Sequence, residues 1–269
     1  MARIVPAIVS ALCLSGQASA HDFWLRADPA PDEGPGCYEV RTEIGHGAER
    51  QAWPLVSTRL SALRHFAKDG TITDLQPEIG AGRDEGLVSV CMDGAEDGIF
   101  AIEGFRSFSE LEAERFQSYI TNEGIRPLIV HRQVNGLTDT PGRELYSRAS
   151  KAMPAGAASD AVSTRALGLI LEITPLLPPG QLQAGETLPL KVTYRGEPVA
   201  NAMIHVTALN APDLEVEPLL TGPDGVTDFL VAAPAHWMFH TVWGEASSSL
   251  IMDADYATVF SSLTVRIGE

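Results

Sequence analysis

The chain has 269 residues and a formal net charge of −16, because 35 acidic side chains outnumber 19 basic ones. Such an acidic surface repels nucleic acid and anionic membranes, so the composition argues against both as partners. The length corresponds to one or two domains.

The N-terminal segment has the three-part layout of a secretory signal peptide. Arg3 gives it a basic start, residues 4–14 are mostly apolar, and small residues stand at Ala18 and Ala20 before a cleavage site. The apolar run is shorter than the roughly 20 residues that a membrane-spanning helix needs, and charges interrupt every later candidate. We therefore expect residues 1–20 to be removed on export to the periplasm, with no direct membrane insertion.

Two cysteines remain once Cys13 has left with the predicted signal peptide. Cys37 and Cys91 form an even pair in an oxidising compartment, which predicts a disulfide between them. In the chain-entropy model, closing this loop stabilises the folded chain by roughly 3–4 kcal/mol. Two cysteines alone are too few for a structural zinc site.

The first part of the mature chain is predicted to consist of strands. Near-alternation of apolar and polar residues predicts a strand over residues 37–44. Short apolar runs bounded by Gly and Asp predict strands over residues 87–92 and 98–105. A further strand is predicted over residues 59–68.

A small helical insertion is predicted around residues 108–152. Residues 109–112 have the form of a capping box, and apolar residues follow at helical spacing until Gly124 ends the helix. A second helix is predicted over residues 127–133. A third is predicted from Pro141 onward, since proline is tolerated in the first turn of a helix.

The proline-rich segment at residues 175–180 predicts a domain boundary, because proline cannot donate to a sheet ladder and stiffens a connection. Only strands and turns are predicted beyond it. Strands at this spacing are typical of an immunoglobulin- or transthyretin-like β-sandwich. We therefore predict a mainly β, two-domain protein, with an N-terminal β domain over residues 21–174 that carries the helical insertion and a C-terminal β-sandwich over residues 181–269. The C-terminal strands are predicted at residues 188–194, 202–208, 226–231, 237–243 and 256–267.

Seven stretches along the chain carry a resemblance to a known family. They are residues 21–25, 44–47, 108–116, 142–148, 167–173, 185–190 and 260–265. In these stretches the chain resembles the exported proteins grouped as domain of unknown function 4198. That family is often linked to periplasmic parts of nickel and cobalt uptake systems, so the resemblance implies a role in metal handling.

His21 is the most informative residue for function. Cleavage after Ala20 would make it the first residue, and its α-amine and ring nitrogen could then chelate one metal ion as a histidine brace. Cleavage after Ala18 would instead leave Ser19 first and His21 third. The amine, two deprotonated amides and the ring would then hold Ni(II) or Cu(II), the ions that nitrogen-rich tetragonal sites select. A histidine that merely follows the cleavage site is the plain alternative.

Two further histidines are candidate metal ligands. His46 lies between two glycines in a turn that would leave its ring accessible, although a turn histidine making one hydrogen bond is the alternative. His240 is a candidate by itself. Joint chelation with His236 is rejected, since four strand residues span about 13 Å. Oxygen ligands could come from Asp22, Glu43, Glu49, Asp253 or Asp255. The remaining histidines are predicted to be structural: His65, His131 and His205.

The motifs of common enzyme classes do not occur in the sequence. It has no nucleophile elbow, no H-E-x-x-H pair and no phosphate loop, so we predict no enzyme. The functional hypothesis is a periplasmic accessory protein that binds nickel or cobalt, with copper possible. It would hold the ion through His21 and His46 and pass it to a membrane transporter or outer-membrane receptor. The alternative is a non-catalytic envelope interaction module without metal.

Overall fold

The computed structural model describes residues 22–46, 49–79, 86–247 and 254–268. The predicted signal peptide and His21 lie outside these residues. The protein is mainly β, which confirms the predicted fold class. No helix in the described ranges is both long and apolar enough to cross a bilayer.

The described residues form 17 strands and three α-helices. The strands are β1 Asp22–Pro29, β2 Cys37–His46, β3 Glu49–Ala52, β4 Leu60–Phe66, β5 Ile72–Asp74, β6 Leu87–Cys91, β7 Ile99–Gly104, β8 Ser107–Leu111, β9 Gly142–Met153, β10 Leu171–Pro175, β11 Thr187–Tyr194, β12 Glu197–Pro198, β13 Met203–Ala208, β14 Leu219–Leu220, β15 Val226–Leu230, β16 Ala235–Ala246 and β17 Tyr256–Ile267. The helices are α1 Ala113–Asn122, α2 Arg126–Val134 and α3 Ala155–Ala158.

One large sheet runs through the molecule. Its strand order is β14-β13-β16-β17-β9-β7-β4-β5, with β8 also paired to β9. Two smaller sheets have the order β1-β2-β3, with β6 on β2, and β10-β11-β12, with β15 on β11. Strands from both sides of the predicted boundary at residues 175–180 are hydrogen bonded in the large sheet. The division into two domains stays a prediction.

The two smaller sheets pack against the large sheet through separate apolar cores. One core joins Leu190 of β11 to Phe239 of β16. The other joins Phe23 of β1 and Val40 of β2 to Phe100 of β7. Burying these side chains supplies the main stabilisation of the layered arrangement.

Strand β1 is also held to the large sheet by polar contacts. The backbone N–H of Leu25 donates to Ser150 Oγ at 2.8 Å, and Thr264 Oγ1 donates to the Leu25 carbonyl at 2.5 Å. These bonds fix β1 across β9 and β17, and β1 carries one residue of the site described below.

Helices α1 and α2 cover part of one face of the large sheet. Phe116 and Tyr119 of α1 pack in one cluster with Tyr256 and Phe260 of β17, and the Phe116 and Tyr256 rings stack with centroids 5.1 Å apart. The helix ends before Gly124, whose φ of +63° suits glycine. The predicted end of this helix is confirmed.

Two predictions within the helical insertion are wrong. Ser109 lies in β8, and α1 begins after Glu112, which makes no side-chain capping hydrogen bond. Residues 142–153 form the strand β9 rather than a third helix. Because β9 lies between β7 and β17, its polar residues find partners inside the protein. Lys151 Nζ, for example, contacts Glu172 Oε1 at 2.8 Å, with both side chains 1% exposed.

The predicted disulfide between Cys37 and Cys91 is confirmed. The two residues face each other in the pairing of β2 with β6, and their Cα atoms are 4.0 Å apart. The bond ties the start of β2 to the end of β6 within one small sheet.

Candidate metal site

Five side chains that commonly bind metals meet at one edge of the helix-covered face. Four strands, β1, β2, β13 and β16, contribute one side chain each. The C-terminal end of α1 contributes the fifth. We call them the histidine–carboxylate cluster: Asp22, His46, Glu123, His205 and His240.

The two histidines of the large sheet, His205 and His240, owe their position to strand alternation and register. Val242 of β16 packs under the helices, whereas Phe239 faces the opposite core. Since alternate residues of a strand share a face, His240 lies on the helical side with Val242. His205 is directly opposite His240 in the antiparallel pairing of β13 with β16, and the ring centroids are 6.1 Å apart.

The two carboxylates come from outside the large sheet. Asp22 pairs with Gly45 at the end of the β1–β2 ladder, which brings His46 close to it. Glu123 caps the C-terminal end of α1, where its backbone N–H donates to the Tyr119 carbonyl at 3.0 Å. The left-handed turn at the next residue then carries the chain away, so the Glu123 side chain is left facing the sheet histidines.

Four pairs of polar atoms in the cluster lie 3.3–4.0 Å apart. Asp22 Oδ1 lies 3.3 Å from His240 Nδ1, and Asp22 Oδ2 lies 3.8 Å from His46 Nδ1. Glu123 Oε2 lies 3.6 Å from His205 Nε2 and 4.0 Å from His240 Nδ1. Two donors bound about 2.1 Å from a tetrahedral ion are themselves about 3.4 Å apart. Most of these pairs are longer than an ordinary hydrogen bond.

Several buried atoms of the cluster have no hydrogen-bond partner among the described residues. They are both ring nitrogens of His240, Nε2 of His205 and Oε2 of Glu123. Because buried polar atoms are nearly always hydrogen bonded, their concentration at one point is typical of a ligand site. The backbone of Asn122 lies close enough to the His205 ring to raise its pKa slightly, against the larger lowering by burial.

The groups of the cluster differ in the charge state that their surroundings favour: neutral rings at His205 and His240, a charged ring at His46, an ionised carboxylate at Asp22 and a protonated acid at Glu123. Burial raises the pKa of Glu123 to about 7 and lowers the pKa of both His205 and His240. Burial by itself would raise the pKa of Asp22, but attraction to His240 and the other histidines outweighs it and lowers that pKa. The pKa of His46 is raised by its polar interaction with Asp22, although the atoms are 3.8 Å apart. Neutral rings offer lone pairs, and two carboxylates balance a divalent cation.

A pocket of about 260 Å³ connects the cluster to solvent, and four of the five cluster residues line it, His240 excepted. A neighbouring pocket of about 710 Å³ shares His46 and adds the acidic residues Glu49, Glu215 and Glu217. Acidic residues at the approach raise the local concentration of cations.

The ligand atoms do not already surround one point. Within the described ranges, no group of three or more His, Cys, Asp or Glu residues is arranged so that it could hold a metal ion as it stands. Asp22, Glu123 and His240 each take part in two of the close pairs. The His46 side chain is 45% exposed and has solvent space in which to turn.

The structure brings together more residues than the sequence indicated. His46 and His240 lie in the cluster, and His21 lies outside the described residues. His205, which the sequence analysis assigned to structure, and Glu123, which it did not consider as a ligand, lie there too. His205 could not be selected because its position depends on the register between β13 and β16, and a local sequence pattern does not specify that register.

The chain matches one family model, described as "Domain of unknown function (DUF4198)", over residues 18–245. The match covers most of the chain. No curated protein and no solved structure matches it.

Proposed function

The chain belongs to the DUF4198 family, and from this membership and the geometry of the histidine–carboxylate cluster we propose that it binds a divalent transition metal ion as an accessory protein in metal uptake. The observation that carries the proposal is His240. Its ring is fully buried, and neither ring nitrogen has a hydrogen-bond partner among the described residues. Its Nδ1 atom lies 3.3 Å from a carboxylate oxygen of Asp22 and 4.0 Å from one of Glu123.

The donor set narrows the class of metal. Imidazole suits zinc, copper, iron and nickel, whereas calcium and magnesium prefer sites built from oxygen. Three imidazoles with two carboxylates therefore favour a divalent first-row transition ion. Within that class we propose nickel or cobalt, because the resemblance of the sequence to the domain of unknown function 4198 family implies an association with nickel and cobalt uptake.

The setting supports a role in binding and transfer. The ion would be held at the edge of the large sheet, next to a pocket open to solvent and an acidic approach. We propose that residues 1–20 direct export to the periplasm and that the ion passes to a membrane transporter or an outer-membrane receptor. Transfer of this kind requires an accessible site, and His46 lies at its exposed side.

Two isosteric substitutions provide a matched test. Glu123 and Glu144 are both buried carboxyls with a pKa raised to about 7. Glu123 lines the pocket at the cluster, whereas Glu144 does not. The carboxyl of Glu144 instead accepts a hydrogen bond from Thr258 Oγ1 at 2.6 Å. Metal-stripped protein is titrated calorimetrically with Ni(II), Co(II), Cu(II) and Zn(II), and retained metal is measured by mass spectrometry.

We expect the unmodified chain to retain one ion. Glu123→Gln should weaken binding at least about tenfold, since even residues that only support ligands typically contribute 10–100-fold. Glu144→Gln should bind like the unmodified chain. Failure of the unmodified chain to retain any of the four ions, or equal affinity of the two variants, would refute the proposal and favour a metal-free interaction module.

A separate variant tests whether His21 contributes to metal affinity. His21 immediately precedes Asp22 in the sequence, so a histidine brace would place its nitrogens at the same cluster. The same titration is made on the exported, processed chain and on His21→Ala. A large loss of affinity would assign His21 to the site, whereas unchanged affinity would restrict the ligands to the five described residues.

A further inference from the structure

A third cavity, of about 280 Å³, is lined by none of the cluster residues. Its wall combines aromatic rings with two guanidinium groups, and none of the described residues that line it is acidic. We call it the arginine–aromatic pocket, and its main residues are Phe23, Trp53, Arg59, Phe105, Tyr146 and Arg148.

Arg148 lies among aromatic rings, although its charge also acts on the buried carboxyl of Glu144, where it partly offsets the rise in pKa. Its Cζ atom lies 4.8 Å from the ring centroid of Tyr146, 5.6 Å from that of Phe23 and 5.9 Å from that of Trp53. Its buried Nε has no hydrogen-bond partner among the described residues. Ring faces attract the positive charge but leave the N–H donors of a guanidinium unsatisfied. The arginine is therefore held in place with donors available.

Arg59 repeats this arrangement at the rim. Its Cζ lies 5.7 Å from the Trp53 ring centroid, and no carboxylate of the described residues forms a salt bridge with it. Seven other described arginines do pair with acids, as Arg143 does with Asp255 at 2.8 Å. Arg59 and Arg148 are both among the described arginines that form no salt bridge with a described carboxylate, and both line this one pocket.

We propose that the arginine–aromatic pocket binds a small organic carboxylate with a flat apolar part. The carboxylate would accept hydrogen bonds from Arg148 and Arg59, since guanidinium groups match carboxylate geometry in pairs of parallel bonds. The flat part would lie among Trp53, Tyr146 and Phe105, the last of which is 57% exposed. A volume near the lower limit of about 300 Å³ for small-molecule pockets suits a single-ring acid.

This pocket is distinct from the histidine–carboxylate cluster. The Phe260 ring contacts both, with its centroid 5.8 Å from Arg148 Cζ and 6.3 Å from the His240 ring centroid. None of the five cluster residues lines the arginine–aromatic pocket. The proposal therefore does not depend on metal binding.

Three small molecules separate the contribution of the ligand's negative charge from that of its aromatic ring. Benzoate carries both the charge and the ring, benzamide keeps the shape without the charge, and acetate keeps the charge without the ring. Metal-free full-length protein is titrated with each up to about 10 mM, since ligands of this size bind in the micromolar to millimolar range. We expect benzoate to bind at least about tenfold more tightly than either of the other two, because a charged hydrogen bond and ring stacking are each worth about that factor.

Arginine substitutions assign the site. Arg148→Met and Arg59→Gln should weaken benzoate binding at least about tenfold and about threefold, respectively. Arg195→Gln is the matched control, because Arg195 also lies 4.8 Å from a ring centroid, that of Tyr194, but pairs with Glu245 outside the pocket. It should bind benzoate like the unmodified chain.

Any of three results would overturn the proposal: no binding of benzoate, equal binding of benzoate and benzamide, or no difference between Arg59→Gln and Arg195→Gln. Thermal denaturation shows whether Arg148→Met still folds. Arg59 is exposed, so its variant carries the test by itself if Arg148→Met does not fold.

Discussion

Glu144 should govern part of the pH dependence of stability. It lies in β9, is 4% exposed, and accepts hydrogen bonds from Thr258 Oγ1 at 2.6 Å and from the Tyr119 hydroxyl at 3.4 Å. Burial raises its pKa from 4.5 to about 7. Glu144→Gln keeps the size and the hydrogen-bonding capacity of the protonated acid but removes its ionisation.

The sign and magnitude follow from these two pKa values. Between pH 4.5 and about 7 the folded chain holds the proton and the unfolded chain releases it, so the free energy of unfolding falls as the pH rises. Each unit of pKa shift corresponds to about 1.4 kcal/mol. Ionisation of Glu144 therefore costs the folded chain about 3 kcal/mol above pH 7, and nothing well below pH 4.5.

Urea denaturation of the metal-free protein, followed by tryptophan fluorescence, measures this effect. The free energy of unfolding of Glu144→Gln, taken relative to the unmodified chain, should rise by about 3 kcal/mol from pH 4 to pH 8. Taking the difference cancels the contribution of other titrating groups, including Glu123. A difference that stays constant over this range would refute the reasoning, since Glu144 would then have the same pKa in both states.

Two further predictions concern the disulfide and the end of α1. Replacing Cys37 and Cys91 by alanine should lower the free energy of unfolding by about 4 kcal/mol, the chain-entropy value for a separation of 54 residues; an unchanged denaturation midpoint would contradict it. Gly124→Ala should destabilise by about 2 kcal/mol and Gly136→Ala by about 1 kcal/mol, although both glycines have φ of +63°. Only at Gly124 would the new methyl group meet Met203, 3.0 Å away. Equal melting temperatures for the two variants would argue against this contact.

Strand positions were predictable where one face of a strand is polar. The alternation over residues 37–44 predicted most of β2, because its outward side chains remain partly exposed. The same reasoning failed for β9, whose pattern is buried almost throughout. Its polar residues have partners from distant parts of the chain, such as Glu172 for Lys151. Without knowledge of those partners, a helix starting at Pro141 was predicted in its place.

The candidate site was predictable only in part, and for a similar reason. His46 and His240 could be selected because of their local sequence context. The importance of His205 depends on its register opposite His240, and that of Glu123 depends on where α1 ends above the sheet. Both are properties of tertiary structure, so a single sequence gives no reason to choose His205 over the other histidines.

The cluster joins the first described strand to the next-to-last one, because Asp22 begins β1 and His240 lies in β16. A chain interrupted before β16 would lack both His240 and the strand that pairs with β13 and β17. A partly synthesised chain would therefore have no complete ligand set. If the cluster binds an ion as proposed, an ion that binds only the native state would stabilise only that state, and metal would be captured at a late stage of folding. Occupancy of the site would then distinguish finished molecules from unfinished ones.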